Sequence, residues 1–434
     1  LISGGLGMAC YGMVRSLLAL GIKIDLVLPT KEMVYFPLRK VEDVNTLPAV
    51  FVDPVLQKEY LRHSFETLQE RLEYIGISGR PESYYRLDEL AKFDPTVSLE
   101  RWQTQFQSVR EREIFSDLAT NLTGDEDLIR KVQEFTMRAE KFARSLDYNL
   151  IHAHDWLTYP SGILAKKISK KPLVVHIHAT EFDRAGGPGD ERVHKIEHAG
   201  MMYADKVIAV SQYTAQMIMS RYRIDTAKIR IVHNAFTLSE ESVTSKKRIF
   251  KGPTVLFLGR ITLQKGPDYF LEVAARVLKV HPEARFIMAG SGDMGRKLLR
   301  DSASRKLQNR FLFTGFLNRA QVEDILRASD IYMMPSISEP FGISPLEAMA
   351  FGLTSIISKQ SGVAEVVNHA FKIDYWDVEL MANTVNHLIE NPDKCSKMGM
   401  DGMREVNQIH WKEAAEKIRL VYSSTLAEYI KSNS

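Results

Sequence analysis

Residues 254–289 read TVLFLGRITLQKGPDYFLEVAARVLKVHPEARFIMA, and this stretch decides the fold class. Two short apolar runs, 254–259 and 284–289, flank a segment whose apolar residues recur every three to four positions. The pattern predicts a strand, a helix over 269–280 and a second strand. Strands that are nearly continuously apolar are typical of a parallel sheet covered on both faces. Such sheets bind ligands beyond the carboxyl ends of their strands, so a site is expected in the loops that follow them.

The same alternation extends in both directions and predicts an α/β fold with two Rossmann-like domains. We place these domains at 1–236 and 237–410, joined by a polar linker near 237–252, with a final helix over 411–434. Residues 55–148 are charged and mostly helical in pattern, and we interpret them as an insertion over the first domain. The predicted strands are 22–28, 150–153, 173–178, 206–210, 310–314, 331–334 and 354–358, and the other predicted helices are 9–20, 294–306 and 320–329.

Composition excludes several classes of protein. The chain has 434 residues, a net charge of +3, 45% hydrophobic and 26% charged residues. These values exclude a disordered chain, a collagen and a strongly basic nucleic-acid scaffold, so no nucleic-acid partner is expected. Two cysteines are too few for a disulfide framework, which favours the cytoplasm. No apolar run is long enough to span a membrane, and the surface lysines and arginines favour a solvated face over attachment to anionic lipids. Oligomeric state is not indicated.

Two literal motif matches are weaker than they look. Residues 290–295, GSGDMG, form a GxGxxG, which in a dehydrogenase holds a dinucleotide. No acidic residue ends the following strand to hold a ribose, so a tight turn, with Gly290 still facing a ligand, is the better interpretation. Residues 125–127, DED, match a metal-holding pattern, but acidic residues that open a helix complement its dipole. A metal role is therefore not favoured there.

Two glycine-containing loops point to a phosphate. Residues 3–7, SGGLG, run into an apolar helix, where glycines let a backbone approach a ligand and free N–H groups favour an anion. A simple turn is the open alternative for this segment. This loop lacks a preceding strand and Leu1 is not a start Met, so we expect that the chain begins after the first strand of its domain. Arg260 and Lys265 follow the first strand of the second half, and two cations there suit a diphosphate. Solvated surface cations are the alternative, and the position at a strand end favours the phosphate.

A third loop, residues 338–347 (SEPFGISPLE), carries two carboxylates eight positions apart. Ser344 and Glu347 fit the N-cap and N3 positions of a capping box. Glu339 is not placed to cap a helix. A carboxylate at the carboxyl ends of the strands can accept hydrogen bonds from sugar hydroxyls.

Histidines concentrate at two strand ends of the first half. Strand alternation puts His152 and His154 on one face, and His176 and His178 likewise on one face. A metal site is one interpretation, and satisfied core or cleft histidines are the favoured one.

Together these motifs resemble the retaining glycosyltransferases of the GT-B fold, in particular group 1 (family four), with glycogen and starch synthases as relatives. The matching pieces occur in the family's order over essentially the whole chain: 3–7, 151–156, 175–178, 207–211, Gly259-Arg260 with Lys265-Gly266, and 335–347. Ile2-Ser3 and Phe341-Gly342 depart from the lysine-containing and Cys-Gly pairs usual in glycogen and starch synthases. The resemblance implies two domains facing across a cleft and a last helix that crosses back to the first domain.

The resemblance also implies roles for single residues. Arg260 and Lys265 would hold the donor diphosphate, and Glu347 the ribose. The sugar would lie at Glu339 and at the backbone of residues 341–343. His178 would face that sugar across the cleft. Gly4, Gly5 and Gly7 would close on the phosphates, and the backbone positions at the sugar are Phe341, Gly342 and Ile343. Gly290, in the tight turn of residues 290–295, is a further predicted donor-binding position.

The expected reaction transfers a hexose, such as glucose, from a nucleoside-diphosphate sugar to a carbohydrate hydroxyl with retention of configuration. UDP- or ADP-glucose is the expected donor. Fixed charge at the leaving group makes a metal or other cofactor unnecessary. Alternatives are a glycan phosphorylase or sugar-nucleotide epimerase of the same fold, and a regulator that binds nucleotide sugars without turnover.

Overall fold

The computed structural model describes residues 5–28, 72–76, 127–236, 250, 252–307 and 310–433. The elements of the first half are α1 (Gly5–Ala19), β1 (Ile24–Leu28), β2 (Leu72–Gly76), α2 (Asp127–Ser145), β3 (Ile151–His154), α3 (Tyr159–Ser169), β4 (Leu173–Ile177), α4 (Glu181–Ala185), α5 (Glu191–Tyr203), β5 (Lys206–Ala209), α6 (Gln212–Met217) and β6 (Ile229–Ile231). Strands β3 to β6 form a parallel sheet in that order, and β1 pairs with β2 in a separate parallel sheet.

The second half carries a six-stranded parallel sheet with the order β12-β11-β10-β7-β8-β9. Its elements are β7 (Thr254–Leu258), α7 (Pro267–Val280), β8 (Arg285–Ala289), α8 (Gly295–Ser304), β9 (Phe311–Gly315), α9 (Arg319–Arg327), β10 (Ile331–Met334), α10 (Ile343–Ala350), β11 (Thr354–Ser358), β12 (Ala370–Ile373), α11 (Val378–Glu390), α12 (Pro392–Val406) and α13 (Trp411–Asn433). Most predicted ends lie within one or two residues of these bounds. The two-domain α/β prediction is confirmed.

The four-stranded and the six-stranded sheets are buried on two faces, as their continuous apolar strands predict. Val255 and Phe257 of β7 enter one core cluster, whereas Leu256 between them enters the cluster on the opposite face. Val174 and Val175 of β4 divide in the same way. The period of two residues along a strand sends neighbouring side chains to opposite faces, so both faces need an apolar cover.

The last helix returns to the first domain, as expected. Ala415 and Ile418 of α13 lie in one apolar cluster with Leu17 of α1. Trp411 packs so closely on α1 that a Cβ at Gly12 would lie 2.3 Å from its indole nitrogen. The C-terminus of the chain thereby joins the two domains a second time.

The structure differs from the predicted insertion over 55–148 in two segments. Strand β2 lies inside that range and pairs with β1 in register, Leu26 opposite Tyr74. Helix α2 also lies there, and Ile129 and Val132 from it enter the main core cluster of the first domain. The helix is amphipathic, and the charged residues on its outer face dominate its composition. Composition alone therefore did not indicate that its other face belongs to the core. The other residues of 29–126 lie outside the described part of the chain.

Candidate active site

An ion pair between the partly buried Lys265 and the buried Glu339 joins the loops at the carboxyl ends of two neighbouring strands, β7 and β10. Lys265 Nζ contacts Glu339 Oε2, and the two side chains are 16% and 8% exposed. Ser336 Oγ donates to the same carboxylate oxygen at 3.4 Å. The Glu339 N–H donates to Gln360 O at 2.9 Å, and the Glu339 carbonyl accepts from Gly362 N at 2.9 Å. Two residues predicted separately from the sequence therefore form one rigid charged unit.

Arg260 lies on the same loop as Lys265 and is exposed to solvent. Its Nη2 donates to the buried Gln264 Oε1 at 3.1 Å. The loop ends at Gly266, which has a φ of +61°, and a Cβ there would lie 2.0 Å from Pro335 O. Only glycine lets the Lys265 loop approach the β10 loop this closely.

The GxGxxG segment supports the Arg260 loop from behind. Gly290 N donates to Gly315 O at 3.0 Å, and a Cβ at Gly290 would lie 1.9 Å from Gly259 O. A Cβ at Gly292 would lie 2.2 Å from Ile261 O. These glycines permit contact between two backbones, and the Gly290 amide is already used. The structure thus gives Gly290 a packing role. Its amide bonds Gly315 O, so the contact of Gly290 with the donor stays a prediction.

The predicted capping box at Ser344 is wrong. Helix α10 begins at Ile343, two residues earlier than that motif requires, and its N-cap is Gly342 with a φ of +97°. Ser344 lies inside the helix, where its Oγ bonds with Tyr332 OH at 2.8 Å. Within the described residues no side chain caps α10, so its first N–H groups are available to an anion or a sugar oxygen.

The backbone that leads into α10 is fixed by packing. Phe341 is buried, and its carbonyl accepts a hydrogen bond from Val363 N at 2.7 Å. A Cβ at Gly342 would lie 3.1 Å from Glu339 Cγ, and Ile343 is partly buried. The uncapped helix end consequently adjoins the Lys265–Glu339 pair.

Glu347 faces a partner that the sequence did not reveal. Its carboxylate bonds with Arg319 Nη1, which projects from the start of α9. Burial raises the pKa of Glu347, and the Arg319 charge opposes that rise. Arg319 follows the predicted strand over 310–314, but no local pattern connects it to a glutamate 28 residues later.

Two charged side chains clamp the loop that carries His178. Asp155 Oδ1 accepts hydrogen bonds from His178 N at 2.7 Å and from Ala179 N at 3.4 Å. Arg184 Nη1 donates to Ala179 O at 2.7 Å. Asp155 has a φ of +54°, an uncommon value for a residue with a Cβ. The sequence offers one signal for this clamp, namely the acidic residue Asp155 directly after β3.

His178 belongs to a layer of four histidines on adjacent strands. His154 Nδ1 lies 3.0 Å from His178 Nε2, and His176 stacks on His178 with centroids 4.3 Å apart. Burial lowers the pKa of His178 to about 3, so its imidazole is neutral at pH 7. The ligand atoms of Cys10, His154 and His178 lie within 4.8 Å of one another, as do those of His152, His154 and His176. A metal could use either set, and the expectation that none is required stays a prediction.

We expect Asp155→Asn to change how stability depends on pH. Burial raises the pKa of Asp155 to about 6 in the fold, against about 3.8 when unfolded, so protonation of Asp155 favours the folded state. The wild type should therefore lose about 1.5 kcal/mol of unfolding free energy from this group between pH 5 and pH 8. The variant keeps an acceptor oxygen and should lack this loss. Urea titrations of both proteins at the two pH values measure the difference, and equal pH slopes would contradict the assignment.

Hydrogen bonds between the two domains lie next to the His178 loop and the loop that carries Glu339. Ser338 Oγ donates to Asp183 Oδ1, and Ser211 Oγ donates to Pro340 O at 2.5 Å. Glu365 accepts from the N–H groups of Gln212 and Tyr213 at 2.8 and 2.7 Å.

The first of these contacts relates the two halves of the candidate site. Asp183 lies five residues after His178, and Ser338 directly precedes Glu339. The His178 loop and the Lys265–Glu339 pair therefore lie on facing sides of one cleft.

The glycine-rich N-terminus is described only in part. Helix α1 already begins at Gly5, so Gly5 and Gly7 lie in its first turn. Gly7 is buried. Gly4 lies outside the described residues, and its predicted contact with the donor stays a prediction. Over the described ranges, no helix combines the length and apolarity needed to cross a bilayer.

Two α/β domains whose parallel sheets face a common cleft define the GT-B class of fold. The family model "Glycosyl transferases group 1" matches residues 240–404, and "Glycosyltransferase Family 4" matches residues 103–240. Over these two ranges the chain is similar to the group 1 glycosyltransferases. The resemblance inferred from the motifs is thereby confirmed.

Known proteins and structures agree with this family. An uncharacterized glycosyltransferase of Methanocaldococcus jannaschii is 32% identical over 237 residues, which is 51% of this chain and 60% of that protein. The matched region thus spans about three fifths of that relative. A glycogen synthase of Mycobacterium tuberculosis is 25% identical over 287 residues, 64% of this chain and 69% of the relative. The crystal structure of Anabaena HepE with UDP and glucose has a TM-score of 0.56 at 21% identity, over 68% of this chain and 81% of HepE, and shares the fold.

Proposed function

We propose that this protein is a retaining glycosyltransferase that moves a hexose, glucose in the first instance, from UDP- or ADP-sugar to a hydroxyl of a carbohydrate acceptor. One observation carries the proposal: the Lys265–Glu339 pair lies beside the uncapped start of α10 and opposite His178. A cation, free N–H groups and a carboxylate at one place match a sugar diphosphate, which offers anionic oxygens and hydroxyls.

Each predicted residue then has a task in the reaction. Arg260 and Lys265 bind the diphosphate and stabilise the charge that develops as it leaves. Glu339 accepts hydrogen bonds from the sugar hydroxyls and, through its pair with Lys265, fixes the cation in place. Glu347 accepts from the ribose, and Arg319 keeps that carboxylate oriented. Preorganised charge of this kind supplies much of a typical enzyme's rate enhancement.

In the transfer step, the bond between the anomeric carbon and the diphosphate oxygen breaks, and the diphosphate keeps the electron pair. An acceptor hydroxyl bonds to the same face of that carbon, and its proton passes to the departing diphosphate. Neutral His178 faces the sugar and adds no charge to the opposite side of the cleft. Because Arg260, Lys265 and helix N–H groups meet the charge of the leaving group, we propose that no metal is required. We also propose a cytoplasmic location.

Relatives support the choice of donor and product. HepE was crystallised with UDP and glucose, and another relative is named a glycogen synthase. Both names are consistent with a hexosyl donor and a carbohydrate acceptor.

The test is nucleotide release from UDP-, ADP- and GDP-glucose with and without maltooligosaccharide. We expect release with at least one donor, an α-linked product by NMR, and no loss in EDTA. Arg260→Ala should lower turnover about 100-fold, whereas Arg300→Ala, an exposed arginine on α8, should not. A β-linked product would refute retention, and strict metal dependence would refute the charge argument.

The alternatives give different results in the same assay. A phosphorylase would act on glycan only when inorganic phosphate is supplied. An epimerase would convert the sugar nucleotide without an acceptor, and a regulator would bind it without turnover.

A further inference from the structure

A row of aromatic side chains leads outward from the Lys265 loop. A Cβ at Gly266 would lie 3.1 Å from the ring of Tyr269, so this ring directly adjoins the loop. Tyr269 contacts Tyr375 edge to face, with ring centroids 5.3 Å apart. Tyr375 contacts Trp376 edge to face at 4.8 Å, and Trp376 is 58% exposed. Trp376 is therefore an exposed aromatic ring that its neighbour Tyr375 holds in place, at the outer end of a row that starts at the Lys265 loop.

A polar cavity lies next to this row, between the domains. It has a volume of about 360 Å³ and is lined by amide, hydroxyl and ammonium groups from both domains: Gln212 and Gln216 from α6, and Lys359, Ser361 and Lys372 from the second domain. Lys359 Nζ bonds with Asp374 Oδ2 at 2.8 Å, and Asp374 directly precedes Tyr375. This bond places the cavity beside the segment that carries the aromatic row, and we call the cavity and the row together the groove.

The groove opens on the candidate active site. Ser361 lines the cavity and forms a backbone bridge with Glu339. Tyr213 also lines it, and its hydroxyl lies 2.9 Å from Ser338 Oγ, next to Glu339. Burial raises the pKa of Tyr213, and the proximity of Tyr375 and Glu339 adds to this rise. Tyr213 therefore connects the aromatic row, the cavity and the reaction centre.

We propose that this groove, formed by Tyr269, Tyr375, Trp376 and the cavity behind Tyr213, binds the acceptor as an oligosaccharide chain. This inference rests on the proposed function, because only a transferase has an acceptor. Binding of the oligosaccharide to the groove does not itself require turnover. Sugar rings present an apolar C–H face that stacks on aromatic rings and an equatorial belt of hydroxyls that bonds amides and ammonium groups. The aromatic row offers the first kind of surface and the cavity offers the second.

Calorimetric titration of the full chain with maltoheptaose and with cellohexaose tests the groove. We expect the wild type to bind at least one of them, and Trp376→Ala to raise Kd at least about 10-fold. Trp376→Phe keeps a ring and should stay within about 3-fold of the wild type. Gln216→Ala removes an amide from the cavity and should also weaken binding. Leu420→Ala, on an equally exposed apolar side chain of α13, should leave Kd unchanged.

Hydrolysis of UDP- and ADP-glucose without acceptor, measured on the same proteins, separates this proposal from the proposed function. We expect Trp376→Ala to raise the acceptor KM and to leave donor hydrolysis unchanged. Oligosaccharide binding that is lost in Trp376→Ala supports the groove even if no donor turns over. Failure of both oligosaccharides to bind the wild type, or equal Kd values for the wild type and Trp376→Ala, would overturn it.

Discussion

Lys265→Met should lower sugar transfer by at least about 100-fold and also destabilise the fold by about 3 kcal/mol. The first effect follows because the ammonium group is the partly buried cation of the candidate site and meets the charge of the leaving diphosphate. The second follows because the Glu339 carboxylate, 8% exposed, would lose its cation while staying buried. Turnover of the donor and urea denaturation measure the two effects separately.

The double variant Lys265→Met with Glu339→Gln separates catalysis from structure. Removing both charges together leaves no uncompensated ion, so most of the lost stability should return. Activity should stay as low as in the single variant, since neither the cation nor the sugar-binding carboxylate is present. Lys279→Met, at the exposed end of α7, serves as the control and should change neither quantity. Recovery of transfer together with stability would show that the pair is only structural.

Gly266→Ala should be among the most destabilising single-methyl substitutions in the chain, at about 3 kcal/mol or more. The added Cβ would lie 2.0 Å from Pro335 O, and a φ of +61° adds a conformational cost for any residue other than glycine. Relief of this clash must move the Lys265 loop away from β10, which separates Lys265 from Glu339. We therefore expect transfer to fall together with the melting temperature.

Gly295→Ala is the matched control. No atom lies within 4 Å of a Cβ at that position, which is the first residue of α8. We expect it to be neutral or more stable by about 0.5 kcal/mol, because alanine has less freedom to lose on folding. If both glycine variants behaved alike in thermal melts and transfer assays, close approach of the two loops would not be what fixes Lys265.

The residues of the site fall into two groups according to how visible they are in the sequence. Arg260, Lys265 and Glu339 could be predicted because they follow apolar strands, where parallel sheets present their ligand sites. Asp155 and Arg184 were missed as clamps of the His178 loop. Asp155 bonds backbone amides more than twenty residues away, and Arg184 bonds a carbonyl five residues away. No residue type signals which amide or carbonyl a side chain will face.

The capping box at Ser344 shows the opposite error. Its residues fit a local rule, yet Tyr332 of β10 offers the Ser344 hydroxyl a partner, and the helix starts two residues earlier than the motif requires. A motif of four residues cannot report a competing partner that is brought close by the fold.

The sequence alone determined that the chain forms two parallel-sheet domains, because uninterrupted apolar strands require a cover on both faces. It also determined that the chemistry lies at the strand ends. The tertiary structure decided which of those ends meet. Lys265 reaches Glu339, 74 residues away, because β10 crosses over to pair with β7, and Ser338 reaches Asp183 because the domains dock face to face. Strand order and docking depend on how whole surfaces pack, which no local pattern of residues encodes.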